Sequence, residues 1–179
     1  TLKVDTSGGW STLNNSYPKF IEINSITGIV GQVSNPNLRD TFINIENLTY
    51  VGSFDTFLTG NEQNNIILGS VGKDTLDGGA GNDTLKGGTG DDTYHYTGED
   101  GFDIITDTGG TDTIVFKSGY NIKAPWKAPY RDGNNLVYVS ENGKSGFTVV
   151  DHFSDTNKSI ELFHYEGADG GAYSVKVRN

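Results

Sequence analysis

Between Gly60 and Val115 the chain repeats itself every nine residues, and that period limits what it can fold into. Three copies run without a break: GSVGKDTLD at 69–77, GGAGNDTLK at 78–86 and GGTGDDTYH at 87–95. A weaker copy, GNEQNNIIL, precedes them at 60–68. After a two-residue interruption at Tyr96 and Thr97 come GEDGFDIIT at 98–106 and DTGGTDTIV at 107–115. The sixth position reads Asn65, Asp74, Asp83, Asp92, Asp103 and Asp112, and the eighth reads Ile67, Leu76, Leu85, Tyr94, Ile105 and Ile114.

Each position has a physical role. Glycine accepts positive φ and lets backbones approach closely, so the first half of each copy reads as a tight turn. Thr followed by a large apolar residue reads as a short strand with one side chain pointing inward. Turn and strand alternating every nine residues wind a coil in which two copies complete one circuit. The eighth-position residues then stack as a thin core between two parallel sheets. A disordered acidic linker is the competing reading, but it gives Leu and Ile no reason to hold register. The predicted fold class is therefore all-β: a parallel β-roll, or solenoid, with an N-terminal β extension and a C-terminal β cap. The predicted division is a flank at 1–59, the roll at 60–115 and a cap at 116–179.

Charge follows the repeat. The 179-residue chain has a formal charge of −10. From Gly60 to Val115 there are eleven acids against Lys73 and Lys86, so this block carries −9 and also holds 13 of the 25 glycines. Such a block argues against nucleic acid as partner and for cations. Stacked carboxylates repel, and turn carbonyls need partners. A hard divalent cation with six to eight oxygen ligands answers both needs, and Ca²⁺ is the natural candidate. If consecutive copies lie on opposite sides, each ion sits between copies n and n+2. That pairs Asp74 with Asp92, Asp83 with Asp103, Asp92 with Asp112, and Asn65 with Asp83, giving about three to four ions. The predicted metal set adds the turn glycines Gly69, Gly72, Gly78, Gly79, Gly81, Gly87, Gly88, Gly90, Gly98 and Gly101.

These residues resemble the calcium-binding nonapeptide of RTX (repeats-in-toxin) proteins, G-G-x-G-x-D-x-U-x, where U is large and apolar. Gly78 to Lys86 and Gly87 to His95 match it at every position. The stretch DTFINIENLTYVGSFDTFLTGNEQNN, from Asp40, is similar to the lead-in before such repeat blocks. Thr93 to about Tyr165 resembles the C-terminal flank of haemolysin- and cyclolysin-type toxins of the family. The resemblance implies a secreted protein, extracellular or on a bacterial cell surface, of toxin or adhesin type. It implies export as an unfolded chain through a type I exporter, folding on calcium outside, and a cap that helps start that folding. The chain has no Met and opens at Thr1, as a piece of a longer protein would, and its last residues, GGAYSVKVRN, do not resemble a type I secretion signal.

The flanks read as further β structure. Phe20 to Ile23, Ile43 to Ile45 and Leu48 to Val51 alternate as strands do. Leu136 to Val139 and Phe147 to Val150 bracket SENGKSG as a hairpin with an Asn-Gly turn, and Ile160 to Phe163 supplies a third strand. A solenoid end exposes core and unpaired edges, so a cap is expected there.

Other chemistry has weaker support. There is no Cys, hence no disulfide and no Cys-based zinc site. No apolar run reaches the ~18 to 20 residues of a membrane span. His95, His152 and His164 are the only histidines, and no nucleophile elbow accompanies Asp151, His152 and Ser154. No enzymatic activity is expected of this chain. Phe116 to Arg131 carries Lys117, Lys123, Lys127 and Arg131 among Tyr120, Trp126 and Tyr130, with Pro125 and Pro129 making it a loop or an edge. It supports an alternative function, an extracellular module that binds glycan or cell surface on a calcium-stabilised roll.

Overall fold

The structure, a computed structural model, describes residues 2–5, 21–24, 29–32, 35–41, 47–51, 53, 55–98, 100–117, 128–154, 159–166 and 172–177, the strands up to residue 41 by their backbone pairing. Among these residues every regular element is a strand. The N-terminal strands are β1 (Leu2–Asp5), β2 (Ile21–Asn24), β3 (Ile29–Gln32) and β4 (Asn35–Thr41). Eight short strands follow, β5 (Asn47–Val51), β6 (Thr56–Asn61), β7 (Ile66–Val71), β8 (Thr75–Gly79), β9 (Thr84–Thr89), β10 (Thr93–Tyr96), β11 (Phe102–Thr106) and β12 (Thr113–Phe116). The last five are β13 (Tyr130–Asp132), β14 (Asn135–Val139), β15 (Gly146–Val149), β16 (Leu162–Glu166) and β17 (Ala172–Lys176).

From β5 to β12 successive strands alternate between two sheets, so each pairs in parallel with the strand two further on. One sheet has the order β1-β5-β7-β9-β11-β15-β14-β13 and the other β17-β16-β12-β10-β8-β6-β2-β3-β4. This is the parallel β-roll that the period required. Facing residues within the uninterrupted copies are 18 apart, as Asp74 and Asp92 are, and 20 apart where Tyr96 and Thr97 intervene, as for Asp92 and Asp112. The interruption thus lengthens one circuit without breaking either sheet.

The register stacks the eighth-position residues into two columns. Leu48, Ile67, Leu85, Ile105 and Val149 face one another along the first sheet. Leu58, Leu76, Tyr94, Ile114 and Phe163 do so along the second. All ten are buried. Each contributes roughly 1.5–3 kcal/mol by leaving water, yet a nonapeptide offers little more than one such residue. The apolar core is thin by construction.

Both columns continue past the nonapeptides. Upstream, β5 and β6 add Leu48 and Leu58 in parallel register, and downstream β15 and β16 add Val149 and Phe163. Antiparallel strands then close the ends: β14 and β13 beyond β15, β17 beyond β16, and β3 and β4 beyond β2. The β14–β15 hairpin turns at Asn142 and Gly143, with Gly143 at φ +70°. The strand expected at Ile160 to Phe163 runs from Leu162 to Glu166 and joins the sheet opposite the hairpin. Of the upstream strands, Phe20 to Ile23 corresponds to β2 and Leu48 to Val51 to β5, while Ile43 to Ile45 lies outside the described residues.

An aromatic cluster replaces the aliphatic columns at the C-terminal end. Phe116 stacks on Tyr165 with ring centroids 4.6 Å apart, and Phe147 packs on Tyr138 at 5.2 Å and Tyr96 at 5.4 Å. Tyr96 comes from the interruption, and its hydroxyl meets Ser145 Oγ in the hairpin turn at 2.9 Å. The extra residues therefore tie the roll to its cap.

Candidate metal centre

The turns are where the repeat leaves the sheets. Gly88 and Gly90 have φ of +115° and +132°, and a Cβ on either would overlap the carbonyl of Ser70 or Gly72 in the circuit beneath. Stacked turns at this separation accept only glycine. The first-position glycines Gly69, Gly78 and Gly87 serve differently, since these three are not at positive φ. A Cβ on Gly78 would overlap Asp83 Oδ2, one on Gly69 would meet Asp74 Oδ2, and one on Gly87 would overlap Asp92 Oδ2. Each holds open the space in front of its own turn's carboxylate.

The sixth-position carboxylates form two rows. In the first, the Thr56 N–H donates to Asp74 Oδ1 at 2.9 Å, Asp74 N–H to Asp92 Oδ1 at 2.8 Å, and Asp92 N–H to Asp112 Oδ1 at 2.9 Å. Asp112 N–H then donates to Glu161 Oε2 at 2.7 Å. In the second row, Asn65 N–H donates to Asp83 Oδ1 at 2.7 Å and Asp83 N–H to Asp103 Oδ1 at 2.9 Å. The structure thus joins all four n and n+2 pairs, each through one carboxylate oxygen.

The other oxygen of each carboxylate decides the chemistry. Asp83 Oδ2, Asp92 Oδ2 and Asp112 Oδ2 are buried and have no hydrogen-bond partner. A buried carboxylate oxygen without a donor is costly. Burial pushes the Asp83 and Asp92 carboxyls up to about 7, and Asp103 and Asp112 up to about 8. Asp74, Asp100 and Asp107 are raised by burial as well. A cation reverses these shifts by favouring the charged form. Carboxylate and carbonyl oxygens without nitrogen or sulfur suit a hard cation such as Ca²⁺. The residues fit the metal.

The glycines divide between turn and cap. Gly72, Gly79 and Gly81 sit at positive φ in turns of the roll. Gly98 and Gly101 face the cap: the Gly98 carbonyl accepts from Ser145 Oγ, and the Gly101 carbonyl accepts from Gly146 N–H at 2.7 Å.

Four contributors escape the sixth-position rule. Asp107 stands at a first position, where other copies have Gly, and its carboxylate lies with those of Asp92 and Asp112, ligand atoms all within 4.8 Å of one another. Asp100, at a third position, is buried and accepts from Thr97 N–H at 2.5 Å. Thr56 starts the first row and Glu161 ends it. Asp107 was visible in the sequence as a departure from the motif, whereas Asp100 occupies a position that the motif leaves open. Glu161 was not visible, because only the pairing of β12 with β16 sets it opposite Asp112.

Elsewhere the polar residues make local contacts. His152 is buried, and its Nδ1 accepts from Ile160 N–H at 3.1 Å. Ser154 Oγ donates to the Asp151 carbonyl at 2.8 Å. His95 Nδ1 is 3.6 Å from Asp77 Oδ2, and His164 Nδ1 is 2.8 Å from Ser174 Oγ. Of the basic-aromatic stretch, Tyr120, Lys123, Pro125, Trp126 and Lys127 lie outside the described residues. Arg131 sits over the Phe153 ring at 4.6 Å, and Lys117 approaches Glu166 at 3.6 Å. Among the described residues no helix is long and apolar enough to cross a membrane.

Comparison with protein families agrees with this geometry. The model of the RTX calcium-binding nonapeptide repeat (4 copies) matches residues 50–85, 59–94 and 95–122. Its first match begins at Tyr50, inside the strand that opens the aliphatic columns. Comparison with curated proteins finds no match.

Proposed function

From the premise that residues 50–122 are a block of RTX calcium-binding repeats, we propose that this chain is a calcium-dependent folding module of a type I-secreted toxin or adhesin. The observation that carries the reading is the pair of carboxylate rows in which the second oxygens of Asp83, Asp92 and Asp112 are buried and unpartnered. Cytosolic calcium is too low to fill extracellular-grade sites, whose dissociation constants are roughly 10⁻⁴ to 10⁻³ M. Without the ion the rows repel, the thin core does not compensate, and the chain stays open for passage through an exporter. Outside the cell, calcium bridges the rows. At free calcium ten times the site constant each ion adds about 1.4 kcal/mol, so four ions add roughly 5 to 6 kcal/mol. That rivals the whole stability of a small domain, and it makes folding and binding one event.

Far-UV circular dichroism during titration with Ca²⁺, and separately with Mg²⁺, tests this. The expected result is a cooperative coil-to-β transition with Ca²⁺ at sub-millimolar to millimolar levels. Mg²⁺ should not produce it, because it demands near-ideal octahedral geometry and holds its water. A protein already folded in chelator and unmoved by calcium would overturn the proposal.

A further inference from the structure

We infer that the last circuit of the roll holds a three-carboxylate cation site, built by Asp92, Asp107 and Asp112 beside the Tyr94 hydroxyl, and that this site binds its divalent ion more tightly than the other positions of the rows. The inference rests on the calcium reading above and goes beyond it by singling out one site and one residue outside the motif.

Three observations meet there. First, the ligand atoms of the three carboxylates lie within 4.8 Å of one another and all three residues are buried. Second, Asp92 Oδ2 and Asp112 Oδ2 have no hydrogen-bond partner, although each residue is only 1% exposed. Third, Asp92 Oδ2, Asp107 Oδ2 and the Tyr94 hydroxyl all converge on the Gly87 Cα, where a side chain would overlap them. The space they surround is kept by a glycine and lined by oxygen.

Asp107 is fixed in that orientation from both ends. Its Oδ1 accepts from Thr108 N–H at 2.6 Å and Gly109 N–H at 2.8 Å within its own turn. Its Oδ2 accepts from the Tyr94 hydroxyl at 2.5 Å, and that hydroxyl in turn accepts from Gly87 N–H at 2.9 Å. Tyr94 is the one aromatic eighth-position residue among the nonapeptides, and its length carries the phenol oxygen from the core column to the turn. It acts as a positioning residue for Asp107. The regular position between copies n and n+2 has two carboxylates for one divalent ion. A third leaves that ion with net negative surroundings, and oxygen sites tune their affinity by this charge count.

Terbium(III), which occupies oxygen sites of calcium size and emits when a nearby tyrosine is excited, reads the site directly. Three proteins are compared with the parent chain: Asp107→Gly, which restores the motif residue, Asp107→Asn, which keeps the side-chain shape, and Tyr94→Phe. The expected result is that both Asp107 variants still fold with calcium by circular dichroism, while their tightest terbium phase weakens by about tenfold or more. Tyr94→Phe should lose most of the tyrosine-sensitised emission of that phase. A tightest phase within about twofold of the parent in both Asp107 variants, or full emission in Tyr94→Phe, would overturn the site while leaving the calcium-driven folding intact. A parent chain that neither folds with calcium nor binds terbium would overturn the calcium reading and this site with it.

Discussion

Neutralising Asp92 should change stability in opposite directions with and without calcium. Asp92 belongs to two pairs of its row, with Asp74 on one side and Asp112 on the other. Asp92→Asn keeps an acceptor for the Asp74 N–H, held at 2.8 Å, so the sheet register is preserved. What changes is the second oxygen, which has no partner and becomes an amide group. In chelator this removes a buried charge and supplies a donor to the neighbouring carboxylates of Asp107 and Asp112, which should stabilise the fold by about 1–3 kcal/mol. In calcium it removes a ligand from two ion positions. At ten times the site constant each is worth about 1.4 kcal/mol, so the loss approaches 3 kcal/mol. Urea unfolding in calcium, followed by far-UV circular dichroism, should show the loss. In EGTA, with trimethylamine N-oxide added to drive folding, the variant should need less osmolyte than the parent. A variant weaker under both conditions would refute the reasoning, because the Asp92 carboxylate would then stabilise the fold without the ion.

In chelator the fold should strengthen as pH falls. A carboxyl whose folded pKa exceeds its unfolded value of about 3.9 adds stability that is complete below the unfolded value and is lost as pH rises through the folded one; with Asp83 and Asp92 at about 7 and Asp103 and Asp112 at about 8, β signal in EGTA should grow from pH 8 towards about pH 4, and a signal that falls over this range would contradict the burial argument. Gly78→Ala should raise the calcium midpoint of folding, since its Cβ would overlap Asp83 Oδ2. Gly133→Ala, with open space around it and φ +60°, should cost only the left-handed backbone penalty of about 1–2 kcal/mol and leave the calcium midpoint in place. Glu161→Ala should lower the melting temperature in calcium by leaving the Asp112 N–H without its 2.7 Å acceptor, a cost of about 1–3 kcal/mol; an unchanged melting temperature would mean that water replaces Glu161 there.

The roll itself was legible because its period fixes both geometry and chemistry. Reading Leu76, Leu85 and Tyr94 at one position and Asp74, Asp83 and Asp92 at another is enough to place a core inside and carboxylates at the turns. Where the period fades, the sequence says less. Leu48 and Leu58 extend the columns upstream without the glycines that mark a copy, so a strand pattern is all they offer. Phe163 joins a column from a segment 49 residues beyond Ile114, and nothing local distinguishes it from an ordinary cap residue. Glu161 enters the carboxylate row by the same long connection. Contacts of this kind depend on which sheet a returning strand selects, and alternation alone leaves that choice open. Asp107 is the opposite case: the sequence displays it plainly, but the motif assigns its position to glycine.

The hydrogen bond that orients each carboxylate is also the bond that fixes the register of the circuits. Asp74, Asp83 and Asp92 each donate their N–H to the carboxylate two copies on. A slip of one residue would remove the carboxylates from their rows and turn the apolar columns outward together. The ion site is therefore not an addition to a finished scaffold. Nor are the two rows alike. The first runs Thr56, Asp74, Asp92, Asp112 and Glu161, with Asp107 beside it; the second runs Asn65, Asp83 and Asp103, with Asp100 beside it, and opposite Asp103 the next strand presents Phe147. The first row accumulates more buried charge and ends on another acid, whereas the second ends on an apolar ring. Where the roll meets its cap along the first row, three buried carboxylates crowd one position, and a cation is what lets them stay charged side by side.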